Sequence, residues 1–304
     1  MSGLERDLGL LLWSKLLDRD LSRQAHAFSG KDELWGARAV ELSAGLSLDT
    51  EKTRFLVEAR ASLDAGAFTV SLAGRGMWFV ESDAPDYPHA FRASGAAPFG
   101  LFGCGERAAL SAVGETKTVG IVGTRRASAG AAAFSRRLGE ELAAAGVRIA
   151  SGLSPGVSEE AHLGAVAHRG MTLAVVGCGV DLVHPRRLER GVRRDILATG
   201  GAIVSEYWPE TTPAPWRFPP RFRILAGLID ALVVIESGPR SSALIASDFA
   251  IELGRPVLAV PHSPWDRSGD GGNALLRMGA AVVCDRAQDV MDVLQGDRDN
   301  RSAA

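Results

Sequence analysis

The residues best equipped for chemistry in this chain are arginines set beside glycine turns. Residues 118–127 read TVGIVGTRRA. A β-branched run ends in Gly123, and Arg125, Arg126 and Ser128 follow where a helix should open. Glycine permits close backbone approach to an anion. A first helical turn offers unpaired N–H groups, and arginine adds a fixed charge with a bidentate fork. The pattern recurs. Ser151 and Gly152 lead into LSPG and a second helix start, a form suited to an anion nest. Gly177 and Gly179 flank Cys178. Arg221 and Arg223 follow Phe218 and two prolines, with Trp216 upstream; arginine beside aromatics suits phosphate clamping and base stacking. Arg240 and Ser241 close the series in ESGPRSSALI. The expected ligand is a polyanion, with Gly123, Arg125, Arg126, Ser128, Ser151, Gly152, Gly177, Arg221, Arg223, Arg240 and Ser241 as its candidate contacts.

Each motif also has a bland reading. Ser128 and Ser241 cap helices in many proteins. Glu159 and Glu160 suit a helix N-terminus but would repel a phosphate placed there. His162 one turn later reads first as a packed residue, and Cys178 has no basic neighbour in sequence to activate it. No GxxxxGK[ST] loop, no Ser-His-Asp order and no metal-ligand spacing is visible. Backbone, hydroxyl and arginine donors equip a binder more than a catalyst, so neither a reaction, a cofactor nor a metal is expected.

Composition narrows the class. The chain has 304 residues, 46% hydrophobic and 23% charged, with a formal net charge of −2. Bulk attraction to nucleic acid is absent, so an anion site must be a local patch. Three widely spaced cysteines, Cys104, Cys178 and Cys284, show no disulfide framework and fit a reducing cytoplasm. No signal peptide and no apolar run of the roughly 20 residues that span a bilayer is read, so no membrane partner is expected.

These groups need elements to position them. Leucines recur at helical spacing from Leu8 onward, so residues 1–80 read as a small helical N-terminal domain. Residues 81–116, rich in turn formers, read as a connector. From Lys117 strands and helices alternate with short glycine turns. Strands are expected at 119–122, 147–150, 172–176, 202–205, 232–235, 257–260 and 281–284. Helices are expected at 131–145, 158–168, 187–199, 221–227, 242–253 and 273–278. This is an α/β pattern, a Rossmann-like, doubly wound, mainly parallel sheet over 117–296, whose ligands sit beyond the carboxyl ends of the strands. Residues 297–304 read as a polar, frayed tail.

The ordered blocks VGIVGTRRAS (119–128), SGLSPGVSEEAH (151–162), GCGVDLVHP (177–185), SEYW (205–208), FPPRFRILAGL (218–228), SSALI (241–245), GRPVLAVPH (254–262) and GGNALLRMGA (271–280) resemble the DNA-processing protein A (DprA/Smf) family, over about residues 85–292. The resemblance implies a cytoplasmic, dimeric, non-catalytic protein that binds single-stranded DNA. It further implies protection of incoming DNA in natural transformation and loading of RecA recombinase. It also implies a member without the C-terminal winged-helix module. The chain departs from the family pattern in three blocks. Ser154-Pro155-Gly156-Val157-Ser158 stands for Ala-Arg-Gly-Ile-Asp, Arg221-Phe222-Arg223 for Arg-Asn-Arg, and Ser241-Ser242-Ala243 for Ser-Gly-Ser. Two other readings stand beside it. One is a nucleotide sensor or nucleotide phosphoribohydrolase-like enzyme, whose PGGxGTxxE run is missing from residues 237–242. The other is a pure interaction scaffold.

Overall fold

The computed structural model describes residues 2–302 except 24–26, 93–96, 112, 114 and 183. Parts of the segment read as a connector therefore lie outside the described residues, as do the last two residues of the tail.

The N-terminal part is helical, with α1 (Gly3–Leu17), α2 (Lys31–Gly36), α3 (Ala39–Leu46), α4 (Thr50–Ser62) and α5 (Ala65–Gly74). Side-chain oxygens of Ser2, Asp49 and Asp64 cap α1, α4 and α5, each satisfying an otherwise orphaned N–H. Strand β1 (Met77–Glu81), a short α6 (His89–Arg92), β2 (Gly100–Gly105) and α7 (Ala108–Ser111) follow. The alternation then runs β3 (Thr118–Gly123), α8 (Ala129–Ala144), β4 (Arg148–Gly152), α9 (Val157–Ala167), β5 (Thr172–Val175), α10 (Arg194–Ala198), β6 (Ala202–Ser205), α11 (Arg221–Leu228), β7 (Ala231–Ile235), α12 (Ser242–Glu252), β8 (Val257–Ala259), α13 (Asp270–Arg277), β9 (Val282–Val283) and α14 (Ala287–Ser302).

Among the described residues nine strands form one sheet, ordered β1-β2-β6-β5-β4-β3-β7-β8-β9. From β6 to β9 every pair is parallel. β1 pairs with β2, and β2 with β6, antiparallel. The expected α/β, Rossmann-like doubly wound architecture is therefore present. Strands β3, β4, β5 and β7 are buried along nearly their whole length, as a sheet covered on both faces requires.

Four details differ from the sequence reading. β1 and β2 lengthen the sheet from within the regions read as helical and as connector; their antiparallel pairing leaves no βαβ signature to read. The helix expected over 187–199 forms only at 194–198, because Gly191 takes a non-helical conformation (φ −108°, ψ −115°) inside a five-residue π-turn. α13 starts at Asp270, three residues early, and α14 continues to Ser302 through most of the segment read as a tail.

The N-terminal helices do not stand apart. Trp13 and Trp35 share one buried cluster with Phe102 of β2, Ile203 of β6 and Trp208, and Phe68 of α5 stacks on Trp208 at 4.3 Å. No helix among the described residues is long and apolar enough to cross a membrane.

Candidate functional site

The strand order reverses between β3 and β7, so chain running in both directions leaves a crevice at their carboxyl ends, the usual ligand position in such sheets. A cavity of about 170 Å³ opens there. Gly123 and Arg125 after β3, Leu153 to Pro155 after β4, and Ser242 and Ala243 at the start of α12 line it. His184, Pro185, Phe218, Arg221 and Phe222 also line it.

Arg221 dominates the cavity. It is 8% exposed, its Nε lacks any hydrogen-bond partner, and no carboxylate pairs with it among the described residues. Its guanidinium carbon lies 5.4 Å from the Phe218 ring centre and 5.1 Å from that of Phe222. Burial pushes its pKa down to about 10, with Arg125 adding repulsion. A buried cation without a counter-anion is expensive, and an anion entering the cavity would supply what the fold withholds. Arg125 is exposed at the rim, 5.9 Å above the same Phe218 ring. One aromatic ring thus carries a guanidinium from each of two segments nearly a hundred residues apart.

Two predicted glycines serve this arginine rather than a ligand. A Cβ on Gly152 would stand 2.7 Å from Arg221 Nη2, and one on Gly177 would stand 2.6 Å from the Arg217 carbonyl oxygen. The first gives the guanidinium its seat. The second lets the loop bearing Phe218 press against the strand end. His162 lies beneath, fully buried, its Nε2 3.0 Å from the Gly152 carbonyl and its Nδ1 2.7 Å from Thr172 Oγ1. Burial lowers its pKa to about 4, so the neutral ring donates from Nε2 to Gly152. This is the packed histidine of the bland reading. Burial likewise pushes the Cys178 thiol up to about 11, so it is no nucleophile at neutral pH.

The remaining expected contacts are not brought into the cavity. Arg223 is the main correction: its guanidinium bonds Glu206 and Asp20, at 4% exposure. Residues two apart on a helix point about 200° apart, so α11 aims Arg221 into the crevice and Arg223 at the N-terminal part. Ser151 is buried and donates its hydroxyl to the Ile121 carbonyl, bridging β4 to β3. Ser128 caps α8 by accepting from the Ala131 N–H at 3.2 Å, while its own N–H donates to the buried Glu236 carboxylate at 2.8 Å. The first helical turn was expected to offer free amides; a side chain of the protein already sits there. Arg126 is exposed beside the rim, and Arg240 and Ser241 stand on the next turn, where Ser241 caps α12. Ser158 and Phe222 are not among the contacts expected from the sequence. Both line the cavity together with Pro155 and Ala243, so the departures from the family pattern gather in one place. No cluster of three or more His, Cys, Asp or Glu side chains fit to hold a metal occurs among the described residues.

Comparison with known proteins settles the ancestry. The sequence profile of the DNA recombination-mediator protein A family matches residues 78–295. This chain belongs to that family. Protein Smf of Escherichia coli K12 is 31% identical over 294 residues, covering 95% of this chain and 74% of that protein. DNA processing protein DprA of Bacillus subtilis is 31% identical over 220 residues, 72% of each. Among solved structures, DprA from Streptococcus pneumoniae superposes with a TM-score of 0.76 at 25% identity, over 96% of this chain and 98% of that one. DprA from Helicobacter pylori, whose structure concerns its single-stranded DNA binding mode, gives 0.63 at 26% identity over 73% and 96%. The recombination-mediator profile begins at Trp78, inside β1, so the matched region takes in both antiparallel strands at that end of the sheet.

Proposed function

We propose that this protein binds single-stranded DNA at the β3–β7 crevice, with one phosphate meeting Arg221 and Arg125 and adjacent bases against Phe218. The observation that carries this reading is the buried Arg221 guanidinium, paired with no carboxylate among the described residues, in an aromatic-walled cavity. A single strand can turn a phosphate into such a recess, whereas a stiff duplex holds its phosphates on a convex surface. Arg126 and Arg240 extend the positive rim. No step of this reading makes or breaks a covalent bond, and none calls for a cofactor.

Family membership supports the finer reading: the protein shields incoming single strands during natural transformation in the cytoplasm and loads RecA recombinase onto them. It acts as a homodimer. The surface offered for self-association is the β9 edge, where Val282 and Val283 are half exposed and Met278 is 71% exposed. An unpaired edge beside apolar side chains is a pairing surface.

The test is an oligonucleotide titration across salt concentrations. About four neutralised phosphates give a log–log slope near −3 for a single strand, and Arg221→Met should abolish the binding. Equal affinity for thymidine monophosphate and for an oligothymidylate, measured by calorimetry, would overturn the polynucleotide reading in favour of a nucleotide sensor. Loading is read separately, as RecA filament formation on strands precoated with single-strand-binding protein.

A further inference from the structure

Trp265 is 93% exposed. An indole left in water forgoes the stabilisation of apolar burial, and this one is held there by a built loop. His262 donates its N–H to Asn273 Oδ1, and Asn273 Nδ2 donates back to the His262 carbonyl, both at 3.0 Å. A Cβ on Gly269 would strike the His262 side chain at 2.1 Å, so the loop closes on itself. The Asp266 N–H bonds the Ser263 carbonyl at 2.9 Å across the tip.

The loop follows β8 and therefore belongs to the same end of the sheet as the crevice. The first turn of α13, which closes the loop, presses on the turn after β7: the Gly271 N–H donates to the Ser237 carbonyl at 2.7 Å, and a Cβ there would lie 2.6 Å from the Gly238 carbonyl oxygen. That turn carries exposed Arg240 and runs directly into Ser242 and Ala243, which line the cavity. Arg267 adds a second cation, its side chain 91% exposed and 3.7 Å from Asp270. Asp266 accepts from the Ser268 N–H at 2.9 Å, and the exposed Arg267–Asp270 pair is weak enough for Arg267 to exchange its carboxylate for a phosphate. An exposed indole two residues from one exposed guanidinium, on a loop that neighbours the turn bearing another, complements a strand of stacked bases and phosphates.

We propose that Trp265 is a base-stacking platform for nucleotides flanking the one held at Arg221, with Arg240 and Arg267 on the backbone between them. This extends the single-stranded DNA reading above and rests on it. The strand would then leave the crevice over the start of α12 toward the β8–α13 loop.

The experiment compares oligothymidylates of increasing length on the full chain, its Trp265→Ala and Trp265→Phe variants, and Arg221→Met. Trp265→Ala should match the parent on the shortest strands that bind and lose roughly tenfold in affinity on longer ones, within the range for one lost stacking contact. Trp265→Phe should keep most of that affinity. Tryptophan fluorescence of the parent should be quenched by long strands more than that of Trp265→Phe. If Arg221→Met abolishes binding while Trp265→Ala equals the parent at every length, the platform is refuted and the crevice survives. If Arg221→Met binds like the parent, the underlying reading fails first. A Trp265→Ala protein that changes its assembly mass by light scattering, with unaltered DNA affinity, assigns the indole to a protein contact and refutes the proposal.

Discussion

Gly152 and Arg221 meet as seat and occupant: the position of the missing Cβ lies 2.7 Å from Nη2 of a guanidinium that pairs with no carboxylate among the described residues. The pair joins the end of β4 to the start of α11 and fixes the direction of a buried charge in the crevice. Gly152→Ala should therefore displace the guanidinium while leaving the sheet intact. We expect an approximately tenfold loss of oligonucleotide affinity with a stability change of about 1–2 kcal/mol. Binding isotherms alongside urea unfolding check both, and unchanged affinity would break the link between seat and site.

Arg221→Met should separate stability from binding. The folded-state pKa of Arg221 lies near 10, below its ordinary 12.5. The unfolded chain holds more protons between these values, so burying the charged form costs stability below pH 10 and the cost fades as pH rises through that window. Removing the charge should raise stability by about 1–3 kcal/mol at neutral pH while abolishing strand binding. A variant that melts lower than the parent would contradict this account of the cavity.

Arg223→Met should behave in the opposite way. It removes the cation that Glu206 and Asp20 share; breaking a buried pair costs about 3–5 kcal/mol. At low temperature the folded fraction should still bind DNA within about threefold of the parent. The two arginines stand on the same helix, so thermal melts and titrations on both variants make a direct contrast.

Acid should weaken the fold through His162. Its folded pKa is near 4 against an ordinary 6.5. Between these values the unfolded chain binds the extra proton, so stability rises with pH; it is complete above 6.5 and is lost as pH falls to 4. The full effect is about 3 kcal/mol. Urea midpoints at several pH values, repeated on His162→Asn, should show the slope in the parent and a flatter line in the variant.

The β9 edge gives an assembly prediction. Val283→Arg places a charge on a half-exposed edge position and should halve the mass seen by light scattering, with a stability change under about 1 kcal/mol. A parent that is already a monomer at micromolar concentration would remove the homodimer from the proposal.

The sequence by itself determined the alternation of elements from Thr118 onward, since short apolar runs closed by glycine and serine-capped helix starts are local signals read over a few residues. It determined that arginines gather at strand ends, and it carried the family. Tertiary structure alone decided which of those arginines is free. Arg221 and Arg223 look equivalent in FPPRFR; helical geometry turns them apart, and only the fold puts Glu206 and Asp20 beside one and an aromatic-walled cavity beside the other. Ser151 and Ser128 were equally eligible as phosphate donors until strand pairing gave one the Ile121 carbonyl and the turn after β7 gave the other Glu236. Strand order decided the rest. It places β3 next to β7, across more than a hundred residues, and so makes the crevice. Such partners are long-range, and no local pattern of residue types encodes which hydrogen-bonding group will be consumed by a distant neighbour.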